Sequence, residues 1–193
     1  MIVNEIFYSL QGEGYYSGTP SVFIRLAGCN LQCPFCDTQH QQGSTMSEED
    51  IVDEAAKYKG RHVVITGGEP SLQLTASLVD KLHAIGKYVA VETNGTHELP
   101  CNVDWITLSP KDAFVETSSA RVKITRCNEL KVVFTGSSVA DYSHIEAPHC
   151  YLQPCDTGNE QENISILKDT IAYCLEHPQW SLSLQMHKIV GVR

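Results

Sequence analysis

Six short apolar runs set the frame of this 193-residue chain. They read "SVFIRLAG" (21–28), "HVVIT" (62–66), "YVAVET" (88–93), "DWITLS" (104–109), "LKVVFT" (130–135) and "CYLQP" (150–154). Runs of this length, rich in Val, Ile and aromatic residues, predict buried strands. Helical patterns separate several of them. In "TMSEEDIVDEAAKY" (45–58), Thr45 and Glu48 stand at capping-box spacing, and Ile51, Val52, Ala55, Ala56 and Tyr58 mark one face. "SLQLTASLVDKLHAIG" (71–86) predicts a helix closed by Gly86, and "QENISILKDTIAYCLEH" (161–177) one that stops before Pro178. Strands alternating with helices predict βαβ units and a mostly parallel sheet, hence an α/β fold.

The length suits one domain over 1–193 with a real core. A closed eight-unit barrel needs about 250 residues, so an incomplete (β/α) barrel is expected. Lys plus Arg number 14 and Asp plus Glu 23, a formal charge of −9. That balance argues against long-range capture of nucleic acid or of an anionic membrane. The start, "MIVNEIFYSLQGEG", has no cationic leader ahead of an apolar stretch, and no apolar run reaches the ~20 residues of a membrane span. A cytoplasmic protein is therefore expected. Its eight cysteines then read as free thiols or metal ligands rather than a disulfide framework.

Parallel strands place ligands at their carboxyl ends. The unusual residues of this chain follow the apolar runs: "GCNLQC", "GGEP", "TNGT" and "SPK" come after the first four. In "CNLQCPFC", Cys29, Cys33 and Cys36 share a single loop, spaced Cys-x3-Cys-x2-Cys. With His40 they also spell a Cys3His zinc set. The tight single loop favours an iron–sulfur cubane, in which three thiolates leave one iron open. An open metal position marks a reactive site.

The triad resembles that of the radical S-adenosylmethionine (SAM) superfamily, with Phe35 as the aromatic residue before the third cysteine. The resemblance implies one 4Fe-4S cluster per chain. Its open iron is taken by the amino and carboxylate groups of SAM, whose cleavage gives a 5′-deoxyadenosyl radical. It also implies a partial TIM-like barrel of about six mostly parallel strands. "TGGEP" (66–70) matches the superfamily's motif for the methionine end of SAM, which assigns Gly67, Gly68 and Glu69 to the cofactor. By the same resemblance Phe35, His40, Glu92, Asn94, Ser109, Lys111 and Gln153 join them.

"FYSLQGEGYYSGTPSVFIRLAGCNLQCPFCDT" (7–38) is similar to the start of the 7-carboxy-7-deazaguanine synthase family. The likeness runs on to "LQMHKIVGVR" (184–193), more faintly over 112–150; Phe35 stands where Trp is common in that family. It implies a lyase of queuosine and 7-deazapurine biosynthesis that contracts the ring of 6-carboxy-5,6,7,8-tetrahydropterin with loss of ammonia. Mg2+ is then expected at Thr38, and the pterin at Gln11, Gly12, Glu13, Gly14, Arg25, Thr66, Gly67, His187 and Arg193. Chemistry agrees for several of these. Glu13 can accept from an amino-pyrimidine edge, Arg25 can fork onto a carboxylate, and Thr38 offers Mg2+ a hard oxygen. Each also has an ordinary reading: Gln11 and Glu13 as turn residues, Arg25 in a structural salt bridge, Thr38 as a cap, His187 in the core.

Partners implied are a flavodoxin- or ferredoxin-like reductant and a second copy of the chain covering the open barrel. Cys101, Cys127, Cys150, Cys155 and Cys174 are scattered and read as free thiols. Two rival readings stay open: another radical SAM enzyme such as a glycyl-radical activase, and a non-enzymatic iron–sulfur or zinc protein.

Overall fold

A computed structural model describes residues 1–193. One nine-stranded sheet runs through the chain. Its strands are β1 (Ile2–Leu10), β2 (Pro20–Leu26), β3 (Ser44–Thr45), β4 (His62–Gly67), β5 (Tyr88–Thr93), β6 (Trp105–Leu108), β7 (Glu129–Phe134), β8 (His149–Pro154) and β9 (Ser181–Leu182). Their order across the sheet is β3-β1-β2-β4-β5-β6-β7-β8-β9. From β2 to β9 every pairing is parallel; β1 joins β2 and β3 antiparallel. The two edges do not pair, so the sheet curls into an open barrel. The six expected strands are all present and form its parallel part together with β9.

Alternation along the strands divides the core in two. Val22, Ile24, Leu26, Val63, Ile65, Val89 and Val91 face outward and bury against Ile51 and Ala55 of α1 (Glu48–Ala56) and Leu78, Val79 and Leu82 of α2 (Ala76–Ala84). A second outward cluster of Leu108, Leu130, Val132, Phe134 and Leu152 packs with Tyr173 and Cys174 of α3 (Glu160–Glu176). The intervening residues point into the barrel, because successive side chains of a strand alternate faces. Phe7, Phe23, Val64, Ala90 and Trp105 form an apolar floor there, with Tyr16 packed on it. One step further along the same strands stand Arg25, Thr66, Glu92 and Thr107, aligned by the registers Arg25–Thr66 and Glu92–Thr107. The barrel thus has an apolar floor and a polar layer above it.

Two local expectations need correction. The first helix begins after Ser47, which with Asp50 forms the capping box; Thr45 lies in β3 instead. Asp50 answers the Ser47 backbone more closely than Glu48, whose carboxylate instead accepts from Thr75, Ser77 and Lys81 of the neighbouring helix. The span 71–86 is not one helix. Glu69 caps a 3-10 turn over Pro70–Leu72, and Thr75 then caps α2 by accepting from Leu78 N. Gly86 does end α2, with φ +77. The "IVNEIFYSL" run is a strand, and its Glu5 and Phe7 face the barrel's cavity.

Candidate active site

A cavity of about 510 Å3 opens at the carboxyl ends of the parallel strands. Every expected site residue except Gly14 lines it. Gly14 has φ +64 and faces the Glu129 carboxylate, where a Cβ would stand 2.0 Å from Oε1. Its N–H donates to Ser183 Oγ at 3.0 Å. It shapes the loop rather than the wall.

The loop after β2 carries Cys29 and Cys33, both half-buried, and Cys36, exposed. Burial pushes the Cys29 thiol up, and a hydrogen bond from Leu31 N to its sulfur partly offsets this. Burial likewise raises Cys33, against the nearby charge of Lys111. No three His, Cys, Asp or Glu side chains are arranged to hold a single metal ion. A cubane takes one thiolate per iron, so the three cysteines of this one loop would serve three irons and leave the fourth open. All eight cysteines are free thiols, with Cys127 and Cys155 buried.

The Gly-Gly-Glu-Pro segment is built against this loop. Gly67 has φ +113, and a Cβ there would meet Leu26 O at 2.3 Å; at Gly68 it would meet Gly28 O at 1.8 Å. Gly68 N donates to Leu26 O, and Glu69 N to Gly28 O, both at 2.8 Å. The glycines thus bring β4's end flush against the backbone that precedes Cys29. Glu69 is 1 % exposed and accepts from Ser71 N (3.0 Å), Thr93 Oγ1 (2.6 Å) and Asn94 N (2.7 Å). It fastens the β4 turn to the β5 turn. Asn30, beside Cys29, completes the tie: it donates to Thr96 Oγ1 at 2.9 Å and accepts from Asn94 Nδ2 at 3.1 Å.

Lys111 reaches into the cavity, its Nζ on Ser109 O (2.8 Å) and Ser109 Oγ (2.6 Å). Burial pushes this ammonium down to about 8. Phe35 packs edge-on against Phe114, centroids 4.9 Å apart.

The polar layer is densely paired. Lys131 Nζ meets Glu13 Oε2 and, at 3.4 Å, Glu92 Oε1. Glu13 also accepts from Gln153 and Gln185, each at 3.1 Å. Glu92 accepts from Gln11 Nε2 (3.1 Å) and Thr66 Oγ1 (3.0 Å). Arg25 pairs with Glu5 at 3.1 Å and lies over the Phe7 ring, the structural salt bridge that its strand position suggested, yet its Nε is buried without a partner. A short helix, α4 (Met186–Val190), lies across the cavity. Met186 N donates to Gly12 O, His187 packs against Gly12 so closely that a Cβ there would lie 2.1 Å from its Nδ1, and Lys188 joins Asp37 to Asp156. Arg193 reaches the Glu5 carboxylate and the Phe7 ring.

Comparison with known proteins now separates the rival readings. A family model of the radical SAM superfamily matches residues 23–128. The chain is 48% identical to 7-carboxy-7-deazaguanine synthase of Bacteroides thetaiotaomicron, over 99% of this chain and 98% of that one. It is 39% identical to the enzyme of that name from Bordetella pertussis, over 98% of each. The chain belongs to the 7-carboxy-7-deazaguanine synthase family. The crystal structure of QueE from Escherichia coli superposes with a TM-score of 0.73 at 31% identity, covering 96% of this chain and 94% of that one. As in other members of the radical SAM superfamily, a 4Fe-4S cluster and SAM are the cofactors of this family member.

Within this 7-carboxy-7-deazaguanine synthase family member, sequence reading passed over four groups that line the cavity: Glu5, Asp37, Lys131 and Gln185. Lys131 had a usable signal, since a lone cation inside the apolar run "LKVVFT" needs a buried partner. Glu5 falls in a strand that alternates only loosely. Asp37 and Gln185 owe their place to how α4 crosses the cavity, which no local pattern encodes.

Proposed function

We propose that this chain converts 6-carboxy-5,6,7,8-tetrahydropterin to 7-carboxy-7-deazaguanine and ammonia, acting as one radical SAM lyase domain in queuosine and 7-deazapurine biosynthesis. One observation carries the reading: the three-thiol loop and a layer of paired acceptors and donors share a single cavity. Cys29, Cys33 and Cys36 would hold the cluster. When bound, cluster and SAM supply a radical able to take hydrogen from the carbon that bears the substrate carboxylate.

The chain's own residues do the rest. Gly67 and Gly68 hold the wall for SAM tight against the cluster loop, and Glu69 keeps one lone pair for its ammonium. Asn94, Ser109 and Gln153 offer polar contacts, and Lys111 offers its carboxylate a cation in a partly desolvated place. His40 and Phe35 line the cavity beside the three cysteines and would flank the cluster. Glu13 and Glu92 present acceptors to the donor-rich pyrimidine edge of the pterin, with Gln11, Gly12 and Thr66 beside them. Arg25, whose Nε has no protein partner, would pair with the substrate carboxylate, with Arg193 and His187 lining the cavity from the α4 side. Thr38 is the proposed Mg2+ contact.

The proposal extends to the protein's surroundings. The exposed face of Cys36 suits a flavodoxin- or ferredoxin-like electron donor. Ile164, Ile171 and Leu175 remain exposed along α3, which favours a homodimer. No helix is long and apolar enough to cross a membrane, in keeping with a cytoplasmic place.

Turnover tests the assignment. Reduced, cluster-loaded protein incubated with SAM, Mg2+ and the carboxy-tetrahydropterin should release the deazapurine, detected by mass spectrometry. SAM cleavage without that product would keep the superfamily chemistry and overturn the substrate.

A further inference from the structure

We propose that Lys131 is a positioning residue for the pterin: it holds Glu13 and Glu92 in place as two acceptors within one partly buried layer. The inference rests on the function proposed above and adds a residue that neither the cysteine loop nor the Gly-Gly-Glu-Pro motif suggests.

Three observations carry it. First, Lys131 sits mid-strand in β7, its side chain 7 % exposed, with no route for the ammonium except into the barrel. Second, it bridges two carboxylates from different elements, Glu13 from the loop after β1 and Glu92 from β5. Nothing else cationic touches either one. Third, the charges do not balance. Glu129, two residues along the same face of β7, is 2 % exposed and accepts from Tyr15 N at 3.2 Å. One lysine therefore stands among three carboxylates: it pairs with the half-buried Glu13 and Glu92, while Glu129 is fully buried.

The consequence follows from elementary electrostatics. Two carboxylates in one desolvated site compete for a proton unless a cation stands between them. Burial alone would raise Glu13, but the charge and hydrogen bond of Lys131, helped by Gln185, hold it below the usual carboxylate range. His187 from α4 adds a smaller push the same way, and Lys111 faces the group across the cavity. Burial raises Glu129, against the charge of Lys131. Removing the Lys131 charge should raise the Glu13 carboxyl, which that charge and its hydrogen bond hold down. A protonated carboxyl presents a donor where the pyrimidine edge also presents donors.

The test compares wild type, Lys131→Met and Lys131→Arg as cluster-loaded enzymes. Cluster content and the spectral response to SAM serve as the check on folding. In Lys131→Met, KM for the carboxy-tetrahydropterin should rise at least tenfold near neutral pH with a smaller change in kcat. Its acid limb should shift upward by about one pH unit or more. The sign is fixed: a raised carboxyl pKa confines the accepting form to higher pH. Lys131→Arg keeps the cation and should keep the acid limb near that of wild type, even where its bulk lowers kcat/KM. If Lys131→Met does not load a cluster, Lys131→Gln replaces it under the same expectation. An unmoved acid limb in the neutral variant, or an equal shift in Lys131→Arg, overturns the positioning role. Wild type that makes no deazapurine would instead overturn the substrate assignment, so the two failures are distinct.

Discussion

Replacing Gly68 by Ala puts a methyl group into the joint between two functional loops. The new Cβ would stand 1.8 Å from Gly28 O, 2.4 Å from Gly28 C and 3.1 Å from Cys29 N, all backbone atoms. Regaining even 3.0 Å from Gly28 O requires the segments to part by roughly 1.2 Å. Two hydrogen bonds cross that joint, Gly68 N to Leu26 O and Glu69 N to Gly28 O, each 2.8 Å. A displacement of that size breaks both. Overpacking costs about 1–3 kcal/mol and each lost bond about 1 kcal/mol, so roughly 3–5 kcal/mol is expected. Gly68 does not have a positive φ, so the loss is steric and not conformational. The displaced piece holds Cys29, and iron content should fall along with stability. Urea denaturation of the cluster-free protein measures the first effect, and iron and sulfide per chain after anaerobic reconstitution the second. Gly158→Ala is the control: φ there is +76 but no atom lies within 4 Å of the added Cβ. It should cost about 1–2 kcal/mol through backbone conformation alone and leave iron content unchanged. Gly68→Ala with wild-type stability and a full cluster would refute the account of why two glycines precede Glu69.

Glu69→Gln should destabilise by about 2–4 kcal/mol, because an amide N–H2 would face the donors Thr93 Oγ1, Ser71 N or Asn94 N; a loss under 1 kcal/mol in the same urea assay would contradict that. Burial pushes Lys111 down to about 8 from an ordinary 10.5, so the folded protein sheds this proton before the unfolded chain does. Its charge is a burden on folding below pH 8 that is relieved as pH rises toward 10.5. Lys111→Met should therefore be more stable relative to wild type at pH 7 than at pH 10, and a difference that does not vary with pH would count against the buried charge. Thr38→Ala should retain the cluster and SAM cleavage while weakening the Mg2+ dependence of turnover; an unaltered magnesium titration would remove Thr38 from the metal site.

Much of this fold is written in local pattern. The six expected parallel strands are apolar on the face that the helices cover and over the barrel floor inside, so their runs stand out in the sequence. β1 does not stand out. It lies at the antiparallel end of the sheet, and its inward residues include Glu5, which blunts the alternation. β3 and β9 are two residues each and leave no pattern at all. The site was legible where chemistry demands rare residues at fixed spacing, as in the cysteine loop. It was less legible where residues serve by long-range pairing. Glu69 reads as a ligand contact, lines the cavity and also ties two turns together. Gly67 and Gly68 read as room for a cofactor and also give room to the Leu26–Gly28 backbone. Lys131 went unread although a lone cation in an apolar run is unusual, and its partners lie 118 and 39 residues away in sequence.

The claim beneath all of this is that the protein supplies three sulfurs to a cubane and SAM completes the fourth iron. Electron paramagnetic resonance of the anaerobically reduced, cluster-loaded protein, with and without SAM, addresses it directly. The account predicts a cluster signal that changes on SAM addition and, with nitrogen-15 in the SAM amino group, shows coupling to that nucleus. A signal identical in both samples would contradict it.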